Sequence, residues 1–142
     1  MKNLLGGLAG AVALNVIHEV YKKFDVDAPR VDLVGEEALR WSAGVVGVDE
    51  PNDTQIYAAT LAADVISNSL YYSLAGFAGK NTVVAAGAGL GLAAGIGALT
   101  LTKPLGLNDE HVNKTSKTKF LTVAWYVAGG VVAGLVLKAL KR

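Results

Sequence analysis

The sequence predicts an all-α integral membrane protein: a four-helix bundle of transmembrane helices in one domain, residues 1–142. Apolar residues make up 52% of the chain and charged residues only 18%, whereas about 25% of the residues in a soluble domain are charged. The charges are crowded into a few segments, which leaves four long apolar runs between them. All three prolines lie outside these runs, and many of the 17 glycines lie inside them. Small residues inside apolar runs are typical of packed membrane helices.

The four apolar runs cover residues 4–24, 55–78, 82–102 and 120–140. A hydrocarbon core about 30 Å thick is crossed by about 20 helical residues, so each run is long enough to span it. The third run carries no charge, and the second carries only one acid, Asp64. The first run is the least apolar. A cleaved signal peptide, with its cleavage site at residues 11–13, is the alternative interpretation of that run.

Four crossings put both chain termini at one end of the bundle, together with a tight turn at residues 79–81. We call this the terminal end. The opposite end, the loop end, carries the two polar loops, residues 25–54 and 103–119. Positive residues flank the spans at both ends, so the indications of membrane orientation conflict and the sequence leaves the orientation open. These positive residues are Lys22 and Lys23 at the loop end and Lys138, Lys141 and Arg142 at the terminal end.

A short helix is predicted in the first polar loop, between spans one and two. The apolar periodicity covers residues 32–42, with Asp32 as the N-cap. Beside two spans, this helix is expected to lie in the membrane interface with Trp41 at the level of the lipid head groups. An ordinary helix packed on the end of the bundle is the alternative. Asn52, with Gln55 three residues later, predicts a capping box at the start of the second span.

Polar side chains form one stripe on each of the first two spans. The stripe of span one contains Asn15, His18, Glu19 and Lys22, spaced i, i+3, i+4, i+7 on one helical face. The stripe of span two contains Thr60, Asp64, Ser67, Asn68 and Tyr71. At about 1.5 Å rise per residue, Asn15 and Asp64 both lie roughly 13 Å from the loop end, so the stripes are expected to meet. Trp125 and Tyr126 lie about 8–9 Å from the same end, where they line a cavity or belong to an aromatic belt.

The candidate ion, proton or ligand site therefore consists of Asp64, Glu19, His18, Asn15 and Asn68. Ionisable groups inside a span are costly and usually face the bundle interior or water. A histidine beside two carboxylates can bind a proton or a cationic ligand. A metal ion is the weakest of these options because no HxxxH or ExxH pair is present. The structural alternative is that Asp64 is hydrogen-bonded to Asn15 or Asn68 and only joins two helices.

Glycines at regular spacing predict close helix packing in the last two spans. They are Gly87, Gly91 and Gly95 in span three and Gly130 and Gly134 in span four. Contact within the bundle is the first interpretation of these faces. A homo-oligomer interface is the second.

Several function classes find no support in the sequence. There is no GxSxG, HExxH or Walker-type motif, and no GxGxxG between a strand and a helix, so we expect neither enzyme activity nor a cofactor. The chain contains no cysteine, which excludes disulfides and thiolate metal sites. A net charge of +1 does not indicate a nucleic-acid partner.

The sequence thus favours a small proton- or ion-coupled transporter or channel-like protein, expected in a bacterial inner membrane. In size, and in having a carboxylate in its first span, it is similar to small four-span exporters at the level of architecture only. The expected partners are membrane lipids and a homo-oligomer or larger membrane complex. The alternative is a non-enzymatic structural or accessory subunit assembled through its glycine faces. A membrane enzyme that modifies lipids is the third hypothesis.

Overall fold

The chain is all-helical in a computed structural model, which describes residues 1–141 and leaves Arg142 outside the description. Helix accounts for 77% of the chain, and the described residues form no strand. Six α-helices follow one another: α1 (Lys2–Tyr21), α2 (Val31–Val46), α3 (Asp53–Ser73), α4 (Val83–Leu101), α5 (Glu110–Asn113) and α6 (Ser116–Leu140). A 3₁₀ turn, Leu74–Phe77, extends α3 at the terminal end.

Three helices, α1, α4 and α6, are long and apolar enough to cross a membrane. Helix α3 covers most of the predicted second span and has 21 residues, so its length suffices. Its polar stripe makes it less apolar than the other three. The structure therefore supports three candidate spans where the sequence predicts four, and it suggests a membrane protein.

Among the four long helices, the most extensive contacts join α4 to α6, α6 to α1, and α1 to α3. The two helices of each pair run antiparallel. Helix α3 also reaches α4, because the hydroxyl of Tyr71 donates to the carbonyl oxygen of Leu90 (2.9 Å). Lys2 Nζ at the start of α1 donates to the carbonyl oxygen of Leu140 at the end of α6 (3.1 Å). Lys141 Nζ donates to the carbonyl oxygens of Gly76 and Ala78, at 2.8 and 2.9 Å. These contacts bring the start of α1, the end of α6 and the 3₁₀ turn together at the terminal end.

Glycines make the contact between α4 and α6 close enough to exclude side chains. A Cβ on Gly87 would overlap the carbonyl oxygen of Gly130, and one on Gly91 would overlap that of Tyr126. A Cβ added to Gly95 or to Gly134 would likewise lie only 2.7 or 2.6 Å from a Cα atom of the partner helix. All five glycines singled out in the sequence thus lie where α4 meets α6.

Helix α2 differs from its prediction at its start. It begins at Val31 with Arg30 as the N-cap residue, and no side chain caps it, so the prediction of Asp32 as the cap is wrong. Asp32 lies in the first turn, where its carboxylate turns towards α1. The helix continues past the predicted end to Val46 and stops at Gly47, whose φ of +71° favours glycine. The capping box of Asn52 and Gln55 at the start of α3 is confirmed.

Candidate functional site

A cavity of about 370 Å³ lies between α1, α2 and α3, in the half of the bundle nearer the loop end. The α1 stripe lines it with Asn15, His18 and Glu19, and the α3 stripe lines it with Thr60, Asp64 and Ser67. The two stripes meet at the same depth in the bundle, where Asn15 of α1 bonds to Asp64 of α3. The wall contributed by α2 is mostly apolar, with Asp32 as its acidic member, and Trp125 and Tyr126 of α6 also line the cavity.

The Asp64 carboxylate is held by amides alone. Asn15 Nδ2 donates to Asp64 Oδ2 (2.8 Å), and Asn68 Nδ2 donates to Asp64 Oδ1 (2.9 Å). The same Nδ2 atom of Asn15 also donates to the carbonyl oxygen of Ala11 (3.0 Å), which orients the Asn15 side chain. No ion pair within residues 1–141 includes Asp64. Within the described part of the chain, Asp64 therefore contributes to the cavity a carboxylate that forms no ion pair.

The Asp32 carboxylate is surrounded by cations instead. Arg30 donates to it through Nε (2.9 Å to Oδ1) and through a terminal nitrogen (2.8 Å to Oδ2). Lys22 Nζ lies 3.1 Å from Oδ2, and His18 Nε2 lies 3.3 Å from Oδ1. Burial alone would raise the pKa of Asp32, but the contacts with His18, Arg30 and Lys22 outweigh it and hold this pKa well below its usual range.

Glu19 shares Lys22 with Asp32. Lys22 Nζ lies 2.6 Å from Glu19 Oε1, and the hydroxyl of Tyr57 donates to Glu19 Oε2 (2.9 Å). Desolvation opposes the charge on Lys22, but its hydrogen bonds to the two carboxylates outweigh this effect and raise the pKa of Lys22. Glu19 and Asp32 are thus each paired with a cation, and Lys22 joins α1 to α2.

Two buried polar atoms of the cavity have no hydrogen-bond partner within the described chain: His18 Nε2 and Thr60 Oγ1. His18 and Thr60 are each only 6% exposed. His18 Nε2 lies 3.3 Å from Asp32 Oδ1 but forms no hydrogen bond with it. The His18 ring packs on Trp125 with 5.6 Å between the ring centroids. Both residues belong to the lining of the cavity.

Four of the five residues predicted for the site line this cavity, and the fifth supports it. Asn15, His18, Glu19 and Asp64 line it, whereas Asn68 holds Asp64 from the α3 side. The expected approach of His18 to Asp64 is replaced by contacts of His18 with Asp32 and Glu19. The site is therefore two clusters, the amide-held Asp64 and the charge network around Asp32.

Sequence reasoning missed Asp32, Arg30 and Tyr57 as members of the site. The sequence predicts Asp32 as a helix cap, a role that acidic residues at helix starts often have. Closeness along the chain could have indicated the role of Asp32, because only ten positions separate it from Lys22. The short turn between them has to bring α2 back to the end of α1. No group of three His, Asp or Glu side chains within residues 1–141 is arranged to hold a metal ion.

Comparison of the chain with family models, with curated proteins and with solved structures finds no match. The chemistry of the site thus follows from its own residues. The cavity combines one carboxylate without a cation, two unpartnered buried polar atoms and an apolar wall. Such an arrangement can bind a proton or a cation at Asp64.

Proposed function

We propose that this chain is a small membrane transporter or channel-like protein that crosses the bilayer four times and binds a proton or a cation at Asp64. One observation carries the proposal: Asp64 lines a cavity and is oriented by two amides, with no basic partner in the described chain. A charged residue at the centre of a span costs about 2.5–3.5 kcal/mol on insertion scales. An uncharged residue could join the two helices without this free-energy cost. The presence of an acid at position 64 therefore favours a functional role for Asp64.

The fourth crossing in this proposal is α3. It lies antiparallel beside α1 along most of its length. Nearer the loop end, Asn15 bonds to Asp64. Nearer the terminal end, a Cβ on Gly7 would overlap the carbonyl oxygen of Ser69. Its polar stripe faces the cavity. Its opposite side exposes Ile66 and Leu70, which are 61% and 56% exposed. A helix with a polar inner face and an apolar outer face suits a membrane span that lines a polar site.

The proposed surroundings are membrane lipids, in a bacterial inner membrane. The outward face of α1 supports this part of the proposal, because it exposes Leu5, Leu8, Val12 and Val16, each between 44% and 55% exposed. An exposed apolar face along a whole helix is stable in hydrocarbon and unfavourable in water. A homo-oligomer remains a proposed state of assembly.

The test is ion flux through the purified chain in sealed liposomes. We expect the wild-type protein to dissipate an imposed pH gradient or to carry a cation, and Asp64→Asn to reduce that flux at least ten-fold, because the amide keeps the size of the side chain and removes its charge. The matched control is Asp49→Asn, the same change at an exposed loop residue outside the cavity. The proposal would be refuted if liposomes containing the wild-type protein were no more permeable than empty ones, or if Asp64→Asn gave the same flux as the wild type.

An accessory subunit of a membrane complex is the alternative function. The glycine faces are the sequence feature that favours it, but the five glycines on α4 and α6 already lie in the contact between these two helices. Assembly would therefore need another surface. Native mass spectrometry from mild detergent tests this alternative, since it reports the number of copies and any copurifying partner. A stable monomer without partners would count against it.

A further inference from the structure

We infer that the cavity is built for a small organic ammonium ion that carries at least one N–H group, bound between Asp64 and Thr60. This inference rests on the proposed function, because it names the substrate class of the same cavity. Three independent features lead to it: the charge of the cavity, its unpartnered polar atoms, and its size and walls.

The charge of the cavity selects a single positive charge. Two of its three carboxylates are neutralised, since Asp32 is paired with Arg30 and with Lys22, and Lys22 also binds Glu19. Asp64 alone has no ion-pair partner within residues 1–141. The cavity therefore holds one carboxylate with which an occupant can pair. A buried charge is stable when it is paired, so a monovalent cation is the complementary occupant.

The unpartnered atoms select an occupant with hydrogen-bond donors. Thr60 Oγ1 is buried without a partner in the described chain. Thr60 precedes Asp64 by four residues, so the two side chains lie on the same face of α3 about 5–6 Å apart at Cβ. One ammonium nitrogen between them can donate to both. A quaternary ammonium ion has no N–H and would leave the hydroxyl unpartnered.

The size and walls of the cavity select an organic ion over a bare metal ion. A volume of about 370 Å³ lies within the range of small-molecule sites, about 300–1,000 Å³. The apolar side chains of Val34, Ala38 and Leu61 and the ring of Trp125 line it. An aromatic face attracts organic cations as well as apolar groups. A dehydrated metal ion would instead need several oxygen or nitrogen ligands around one point.

The test uses Trp125 as the reporter. The chain has two tryptophans; Trp125 lines the cavity, and Trp41 is 69% exposed and outside it. In the Trp41→Phe background, 2-phenylethylammonium is titrated against the protein in mild detergent, followed by fluorescence and by calorimetry. The uncharged 2-phenylethanol and the N-trimethylated ammonium ion serve as matched ligands of similar shape.

We expect 2-phenylethylammonium to bind at least ten-fold more tightly than the alcohol and several-fold more tightly than its trimethylated form. Asp64→Asn should weaken its binding at least ten-fold and Thr60→Val about five-fold, whereas Asp49→Asn should leave it unchanged. Comparison of the three ligands needs no substitution in the cavity, since the only change in the protein is Trp41→Phe, at an exposed residue. The inference is overturned if charged and uncharged ligands bind equally, or if neither method detects binding of the ammonium ion.

An amine-bearing lipid head group is a second source of the same chemistry. The titration is therefore repeated in nanodiscs of phosphatidylcholine with and without phosphatidylethanolamine. Competition by phosphatidylethanolamine assigns the site to the lipid, and absence of competition assigns it to a free amine; both results support an ammonium site. Binding without flux would refute the proposed transport alone, whereas Asp64-dependent proton flux without ammonium binding would refute this inference alone.

Discussion

Asp32 and Asp64 line the same cavity, but their carboxylates have different surroundings. Asp32 is contacted by two cations and a histidine, and its side chain is only 8% exposed. Asp64 is contacted by two amides. A buried carboxylate that is fully paired stabilises the fold but has little capacity left for a ligand, whereas one held only by neutral donors can still bind a proton or pair with a cation. We therefore assign structure to Asp32 and ligand binding to Asp64.

The role of Asp32 predicts a pH-dependent stability. Because its pKa is lower in the folded chain than in the unfolded one, its stabilising contribution is present above about pH 4, the unfolded pKa, and decreases as the pH falls towards the folded pKa. Asp32→Asn should lower the free energy of unfolding at pH 7 by roughly 3 kcal/mol, since it leaves Arg30 and Lys22 without their shared partner. It should also flatten the loss of stability below pH 4.

Denaturant unfolding in detergent micelles at several pH values measures both effects. Asp49→Asn, an exposed acid in the loop before α3, is the control and should change neither quantity. An Asp32→Asn protein as stable as the wild type at pH 7 would contradict the structural role of this carboxylate.

The contact between α4 and α6 is an example of how glycine positions decide helix packing. Gly87 and Gly89 are only two residues apart in α4, yet they face opposite directions. Gly87 lies against the carbonyl oxygen of Gly130, whereas a Cβ on Gly89 would meet nothing within 4 Å. The same residue type is thus required at one position and replaceable at the other, which the spacing of glycines along the chain does not distinguish.

Alanine substitutions at these two glycines should have opposite effects. Gly87→Ala forces the two backbones apart and should lower the free energy of unfolding by roughly 1–3 kcal/mol, as overpacking does. Gly89→Ala should leave stability unchanged or raise it by about 0.5–1 kcal/mol, because alanine favours a helix over glycine. Denaturation in micelles followed by circular dichroism compares the pair. Equal losses for both variants would mean that α4 and α6 do not meet through Gly87.

At the scale of the whole molecule, the long helices pack as antiparallel neighbours and the polar site lies between α1 and α3. Helix α6 is packed between α4 and α1, whereas α3 packs mainly on α1. Helix α2 covers the cavity, and Trp125 and Tyr126 of α6 also line it. The proposed exchange of a proton or cation requires access to this cavity from outside the bundle.

Labelling of single cysteines tests the arrangement of the whole chain in a membrane. The chain has no cysteine, so each introduced thiol is the sole target. Asn81→Cys lies in the turn after α3, and Val48→Cys and Asn108→Cys lie in the two polar loops; all three positions are exposed. Four crossings predict that a membrane-impermeant maleimide labels Asn81→Cys from one side of sealed vesicles and the other two variants from the opposite side. Labelling of all three from the same side would contradict a crossing by α3.

The sequence by itself determined the all-helical class, the long apolar helices, the capping box at Asn52 and most of the residues of the site. These features depend on local periodicity and composition, which a helix expresses without knowledge of its neighbours. Only the tertiary structure decided that His18 contacts Asp32, that Asp64 keeps amides alone, and that the glycines of α4 and α6 contact each other. These features depend on how the loop after α1 returns α2 to the bundle and on which helix faces meet. Both arise from packing between distant segments.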